Sequence, residues 1–185
     1  MTRRFRDHID TPVGRIALVV DEQGRLNAAG FVEGHLRPQP GLALETEPAD
    51  DPCGVSSRLR AYFAGDLQAL DELDLALTGT VFQRQVWAAL REIPPGRTWS
   101  YGRLASHMGR PKAVRAVGSA NAANPAVVIV PCHRVIGADG ALSGYAGGVG
   151  RKVWLLTHEG VDGPWQEDAK VEAAQRWLIS PPAAT

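Results

Sequence analysis

Cysteine is nearly absent from this 185-residue chain, which holds only Cys53 and Cys132. Two thiols are too few to staple a small secreted scaffold, so a disulfide framework is excluded. No run of 18 apolar residues occurs, which argues against a membrane-spanning helix. The opening stretch from Met1 to Asp7 is basic but lacks the apolar core of an export signal. A Walker-type phosphate loop is also missing: the six glycines between 137 and 150 end in Gly150-Arg151-Lys152, which breaks that pattern. The cysteines and scattered histidines show no zinc-ligand spacing, so neither a metal nor another cofactor is expected. These absences point to a cytoplasmic protein with reduced thiols and no contact with membrane.

Net charge is lacking as well, because 20 Lys/Arg balance 20 Asp/Glu. The balance hides an asymmetry. Residues 1–80 carry 8 basic and 13 acidic side chains, residues 81–160 carry 10 and 3, and residues 161–185 carry 2 and 4. A basic middle segment points to a polyanionic partner, although a solvated surface facing an acidic neighbour explains it equally well. Hydrophobic residues at 44% and charged residues at 22% make this the composition of a folded soluble chain. Its length suits one ordinary domain or two small ones.

Residues 13–20 and 26–32 are apolar and β-rich, and Asp21-Glu22-Gln23-Gly24 between them supplies turn chemistry, so the pair predicts a hairpin. Residues 34–54 are rich in Pro and Gly and predict a loop with at most one edge strand. Val55, Leu59, Tyr62 and Phe63 recur at helical spacing before Gly65 ends the run. A linker is expected near 75–80. Thr80 and Gln83 match a capping box, and Phe82, Val86, Leu90 and Ile93 follow at helical intervals until Pro94-Pro95-Gly96. Ser100 is placed to cap a second helix over 101–108, and a third is expected from Lys112 to Ala123. This is the spacing of a helix-turn-helix, a pattern that many non-binding helix pairs share. Val127 to Val130 predicts a short buried strand, residues 137–150 a loop, and Val153 to His158 a last helix ended by Gly160.

Cys132 follows the apolar run and Pro131, a setting that presents a nucleophile from a rigid support. A lone cysteine is more often an inert core residue. If the chain stays extended, His133 faces away from Cys132, so contact between them requires a turn here or a bridging water. That geometry speaks against a papain-like thiol hydrolase, whose Cys and His come from distant segments. Glu159 alone reads as a surface carboxylate, Tyr101 as a cap, Arg115 as a surface charge and Asn124 as a turn residue.

Together these residues form a known series. Pro131-Cys132-His133-Arg134-Val135, followed by Gly144-Tyr145-Ala146-Gly147-Gly148, resembles the active-site signature of the O6-alkylguanine-DNA alkyltransferase family. Phe82 to Trp87, Ser100 to Ala105, Arg115 to Gly118 and Asn124-Pro125 resemble its C-terminal helices, recognition helix and hinge. The resemblance spans residues 57–160 and is loose before that.

The resemblance implies an α+β fold. Residues 1–78 would form a structural domain with a ribonuclease H-like antiparallel sheet and helix. Residues 79–165 would form a mainly α domain with a winged helix-turn-helix, and 166–185 a tail. It implies single-use repair, in which a base carrying O6-alkylguanine, with O4-alkylthymine a further candidate, is flipped out and its alkyl group moves to Cys132. His133 and Glu159 would form the proton path, Asn124 would hold the site, and Tyr101 would assist the departing base. Arg115 would enter the vacated stack, while Ala116, Gly118, Ser119 and Ala120 would let the helix approach the minor groove. Val135, Tyr145 and Ala146 would join Cys132 and Tyr101 around the base. The implied partner is double-stranded DNA, read with little sequence specificity by a monomer. Two rivals remain: a non-catalytic alkyltransferase-like damage binder, which would lack the reactive cysteine, and a transcription regulator, whose helix should carry more long polar side chains than follow Arg115.

Overall fold

The structure, a computed structural model, describes residues 2–33, 40–142 and 144–167. The tail expected over 166–185 lies almost wholly outside them.

Strands β1 (Arg4–Ile9), β2 (Ile16–Asp21), β3 (Leu26–Phe31) and β4 (Glu47–Pro48) form one sheet in the order β3-β2-β1-β4. The predicted hairpin is β2 and β3. Asp21 organises its turn, its Oδ1 accepting the backbone N–H groups of Gln23 at 3.1 Å and Arg25 at 2.9 Å. All six residues of β2 are buried, as expected for a central strand covered on both faces. The sheet is not wholly antiparallel as expected, because the edge strand β4 runs parallel to β1. Strand β1 has no counterpart in the sequence reading, since Arg4, Arg6 and Asp7 mask its alternation. Helix α1 (Val55–Phe63) turns Val55, Leu59 and Tyr62 inward at one-turn intervals.

The expected linker is tied down at its start. Leu26 N–H donates to the Asp74 carbonyl and Ala76 N–H to the Leu26 carbonyl, both at 2.8 Å.

Helix α2 (Val81–Arg91) begins with the predicted capping box: Gln83 N–H donates to Thr80 Oγ1 at 3.2 Å, and Thr80 N–H to Gln83 Oε1 at 2.8 Å. Ser100 caps α3 (Tyr101–His107) by accepting the Arg103 N–H at 3.1 Å. Helix α4 (Val114–Ala122) follows and packs on both α2 and α3. Helix α5 (Val149–His158) starts inside the stretch expected to be loop and stops at Gly160, whose φ of +77° suits a left-handed helix end. A short parallel pair, β5 (Trp99–Ser100) with β6 (Val135–Ile136), joins the start of α3 to the segment after Cys132.

The strand predicted at Val127–Val130 is corrected. These residues are buried, but the chain turns twice. Ile129 N–H closes on the Val127 carbonyl around Val128, which sits at φ +71°, and Cys132 N–H closes on the Val130 carbonyl around Pro131 at φ −80°, ψ +62°. Three-residue turns of both hands thus replace the strand. Apolar composition reported burial, not extension. Only Ala126 bridges to the sheet, at Ala29.

The main hydrophobic core joins Leu18, Phe31, Leu59 and Tyr62 to Val86, Leu90, Leu104, Val127 and Leu155, and a smaller cluster gathers Val153, Leu156 and Trp165. Among the described residues no helix is long and apolar enough to cross a membrane.

Candidate active site

The second turn delivers Cys132 as the first residue of a 3-10 turn, Cys132–Arg134, so the bend that contact between neighbours required is present. Cys132 is 4% exposed, and its sulfur accepts Asn124 Nδ2 at 3.0 Å. Asn124 is itself fixed. Its Nδ2 also donates to the Val130 carbonyl at 2.8 Å, and its Oδ1 accepts the Ala126 N–H at 2.9 Å. Burial pushes the Cys132 thiol up, while the Asn124 donor and the nearby Lys152 cation oppose the rise without cancelling it. The resting group is therefore a thiol that needs a base to become nucleophilic.

His133 is fully buried, and its Nε2 lies 2.9 Å from Glu159 Oε1. Burial pulls the imidazole pKa down, and the Glu159 charge only partly restores it. Facing an ionised carboxylate, Nε2 carries the hydrogen, an assignment made from the partner. That leaves Nδ1 as a bare acceptor, and it has no partner among the described residues. A neutral imidazole with one free lone pair is what a general base requires.

Burial alone would raise the Glu159 pKa, but His133 and Arg134 outweigh it and hold the carboxylate well below its usual range. Arg134 grips it in fork fashion, Nε on Oε2 at 2.8 Å and Nη2 on Oε1 at 2.7 Å, while Nη1 donates to the Ile93 carbonyl at 2.6 Å. Tyr62, from α1, donates its hydroxyl to Oε1 at 2.7 Å. Neither Arg134 nor Tyr62 was singled out as a site residue in the sequence. Arg134 lies inside the quoted signature, but nothing local marks Tyr62, which is 97 positions from its partner. Lys152 was likewise missed. It is fully buried, donates from Nζ to the Val135 carbonyl at 2.7 Å, and burial lowers its pKa to about 8.

A cavity of about 210 Å³ opens beside Cys132, lined by Asn121, Ala122, Asn124, Val127, Gly144, Tyr145 and Ala146. Tyr145 is buried with its ring edge on Phe31, centroids 6.4 Å apart. Gly147 presses on the same Phe31, where an added Cβ would lie 2.6 Å from the ring, so the loop can seat there only with glycine. A larger cleft of about 510 Å³ between Arg97, Trp99, Arg103 and Val161 is lined by no cysteine.

The structure thus brings together Cys132, Asn124, Tyr145 and Ala146 around the cavity, and pairs His133, the residue after Cys132, with Glu159. Tyr101 and Val135 are not among the lining residues; Val135 is buried, its carbonyl engaged by Lys152. Tyr101, half-buried, begins α3 near Gly118 of α4. Arg115, Ala116 and Ser119 are exposed along α4, and Gly118 is half-buried. Ala120 is withdrawn from that surface: it is 3% exposed and its carbonyl accepts Trp87 Nε1 at 2.9 Å. Among the described residues no three His, Cys, Asp or Glu side chains cluster as a metal would need.

Residues 81–161 match the DNA-binding domain of 6-O-methylguanine DNA methyltransferase. The chain is 50% identical over 167 residues to a methylated-DNA–protein-cysteine methyltransferase of Salmonella typhimurium, covering 86% of this chain and 98% of that protein. A Methanosarcina acetivorans protein of the same name is 48% identical, with 82% and 95% covered. A crystal structure of Mycobacterium tuberculosis OGT in complex with DNA superposes with a TM-score of 0.73 at 42% identity, covering 84% of this chain and 92% of that one.

Proposed function

This chain belongs to the methylated-DNA–protein-cysteine methyltransferase family and repairs DNA by direct reversal of alkylation; from that premise we propose how its own residues carry the reaction. The acceptor is Cys132. The base holding its proton is His133 Nδ1, reached through a bridging water, and Glu159 stabilises the resulting imidazolium. Tyr62 and Arg134 keep that carboxylate ionised and oriented, so the proton stays on the ring rather than passing to Glu159.

The thiolate attacks the alkyl carbon of O6-alkylguanine. A carbon–sulfur bond forms, the carbon–oxygen bond breaks, and its electron pair leaves with O6. The proton taken from the thiol ends on the released guanine, delivered with the help of the Tyr101 hydroxyl. The product is a thioether, which has no carbonyl for water to attack, so each molecule reacts once. O4-alkylthymine offers the same electrophilic carbon and is a second substrate class.

The target lies inside the duplex and must be rotated out before attack. Residues 79–165 act as the DNA-binding and transfer half, with α3 and α4 as a winged helix-turn-helix, and residues 1–78 as a ribonuclease H-like structural half. Arg115 fills the vacated stack, while Ala116, Gly118 and Ser119 let α4 approach the minor groove of double-stranded DNA. With so few side chains able to reach base edges, binding depends little on sequence. The protein works as a monomer in the cytoplasm.

The carrying observation is a buried Cys132 held by Asn124 beside a cavity, followed in the chain by His133, which is paired with Glu159. Intact mass after incubation with an O6-methylguanine duplex tests it. A gain of one methylene, about 14 Da, should localise to Cys132 and be absent in Cys132→Ser. Label on Cys53, or repeated turnover, would refute the assignment.

A further inference from the structure

The lining of the cavity beside Cys132 includes a group that the reaction above does not use. Asn121, in the last turn of α4, is 7% exposed and lines the cavity, and its Oδ1 is buried without a hydrogen-bond partner among the described residues. Its backbone is locked in place. Its carbonyl accepts the N–H groups of Ala123 and Asn124, and the preceding carbonyl is held by Trp87. Its neighbours in the lining, Ala122 and Val127, offer no polar side chain. A buried carbonyl oxygen left unsatisfied is unfavourable, whereas leucine, with the same branched heavy-atom skeleton, would carry no such penalty. The amide is therefore accounted for by something that enters the cavity.

We infer that Asn121 is a specificity-determining residue that hydrogen-bonds a hydroxyl on the transferred group, so that hydroxyalkyl adducts such as 2-hydroxyethyl are favoured over alkyl chains of equal size. This rests on the proposed role of Cys132. The wall holding Asn121 continues into Asn124, whose Nδ2 lies 3.0 Å from the sulfur, and that is where the reacting carbon must sit. A hydroxyl one bond beyond that carbon's neighbour would lie inside the cavity that Asn121 lines. A hydroxyl both donates and accepts, so it satisfies the carboxamide in either orientation. A methyl group is too short to reach, and a propyl group leaves the amide unpaired.

Single-turnover rates with duplexes carrying O6-methyl-, O6-propyl- or O6-(2-hydroxyethyl)guanine test this in the wild type, Asn121→Leu and Asn121→Met. The readout is the hydroxyethyl-to-propyl rate ratio, which cancels differences in folding and binding common to both substrates. Wild type should favour hydroxyethyl about five- to tenfold, the range of one neutral hydrogen bond, and both variants should lose that preference. Methyl transfer to Cys132 reports that each protein is folded and active. A ratio unchanged by substitution, or equal slowing of all three substrates, overturns the inference, as does a wild-type ratio of one or less should neither variant fold. Absence of methyl on wild-type Cys132 would instead overturn the assignment of the nucleophile.

Discussion

The first 80 residues and the next 80 differ in charge, in architecture and in what they bring to Cys132. The first half is acidic and built on a sheet; the second is basic and mainly helical. Every group proposed to touch DNA or the alkyl carbon belongs to the second half. Yet the first half reaches the site at three places. Tyr62 donates to Glu159, and its carbonyl accepts His158 Nε2 at 2.8 Å. Phe31 backs Tyr145 and Gly147, and Arg151 spans its ring face and the Val13 carbonyl at 2.6 Å. Ala29 pairs with Ala126, just before the turns that carry the sulfur. The reacting groups are local to one half, but their positions depend on both.

Substitutions in each half sharpen this division. Glu159→Gln should have the largest effect, because it removes the imidazolium's counter-charge and strands Arg134 in the interior. Methyl transfer is expected to fall about 100-fold or more, and urea unfolding to show a loss of about 3 kcal/mol. Phe31→Ala tests the first half. It leaves a cavity costing about 3 kcal/mol and unseats the Tyr145–Gly148 loop, so the transfer rate should drop about tenfold through weaker substrate binding. A rate equal to wild type in the folded variant would mean that the sheet is a passive support.

Tyr62→Phe is gentler, deleting one hydroxyl. It should cost about 1 kcal/mol of stability. With one donor fewer on Oε1, Glu159 stabilises the imidazolium more strongly, so the pH profile of transfer should move upward while the rate at its plateau changes little. A profile that stays in place would separate the two halves functionally.

The smallest effect is the dependence of stability on pH. Burial holds folded His133 below its ordinary 6.5, and the contacts to Glu159 hold that carboxylate below its ordinary 4.5. Both depressed values stabilise the fold at higher pH. The His133 contribution is whole above 6.5 and fades as pH falls below it, and the Glu159 contribution fades below 4.5. The thermal midpoint should therefore decline in two stages on acidification, and His133→Gln should lack the first.

Much of this was legible in the chain because it is local. The Thr80–Gln83 box, the Ser100 cap, the Asp21–Gly24 turn and the α1 spacing each depend on residues within one or two turns of each other. The proposed nucleophile was legible through the Pro131–Val135 string. What escaped is non-local. Tyr62 reads as one more apolar face residue of α1 until Glu159 meets its hydroxyl. Nothing local in the sequence marks Lys152 or Arg134 as buried, a property that only the fold reveals. The valines before Pro131 read as a strand because their side chains are buried, but tertiary contacts and proline, rather than β propensity, set their path. Ala120 looked like part of a smooth groove-facing surface because small residues occupy both faces of α4, and smallness does not reveal which face is outward.

The 97 residues between Tyr62 and Glu159 also carry a consequence for the order in which the protein is made. Cys132 leaves the ribosome before Glu159 does, and the proton relay cannot close until α5 has been synthesised and has docked against α1. A nascent chain halted in between carries Cys132 and His133 without the carboxylate proposed to stabilise the imidazolium. Competence therefore waits for α5 and Glu159, and a product truncated before them would occupy the cell as an ordinary thiol instead of a spent or misfiring reagent.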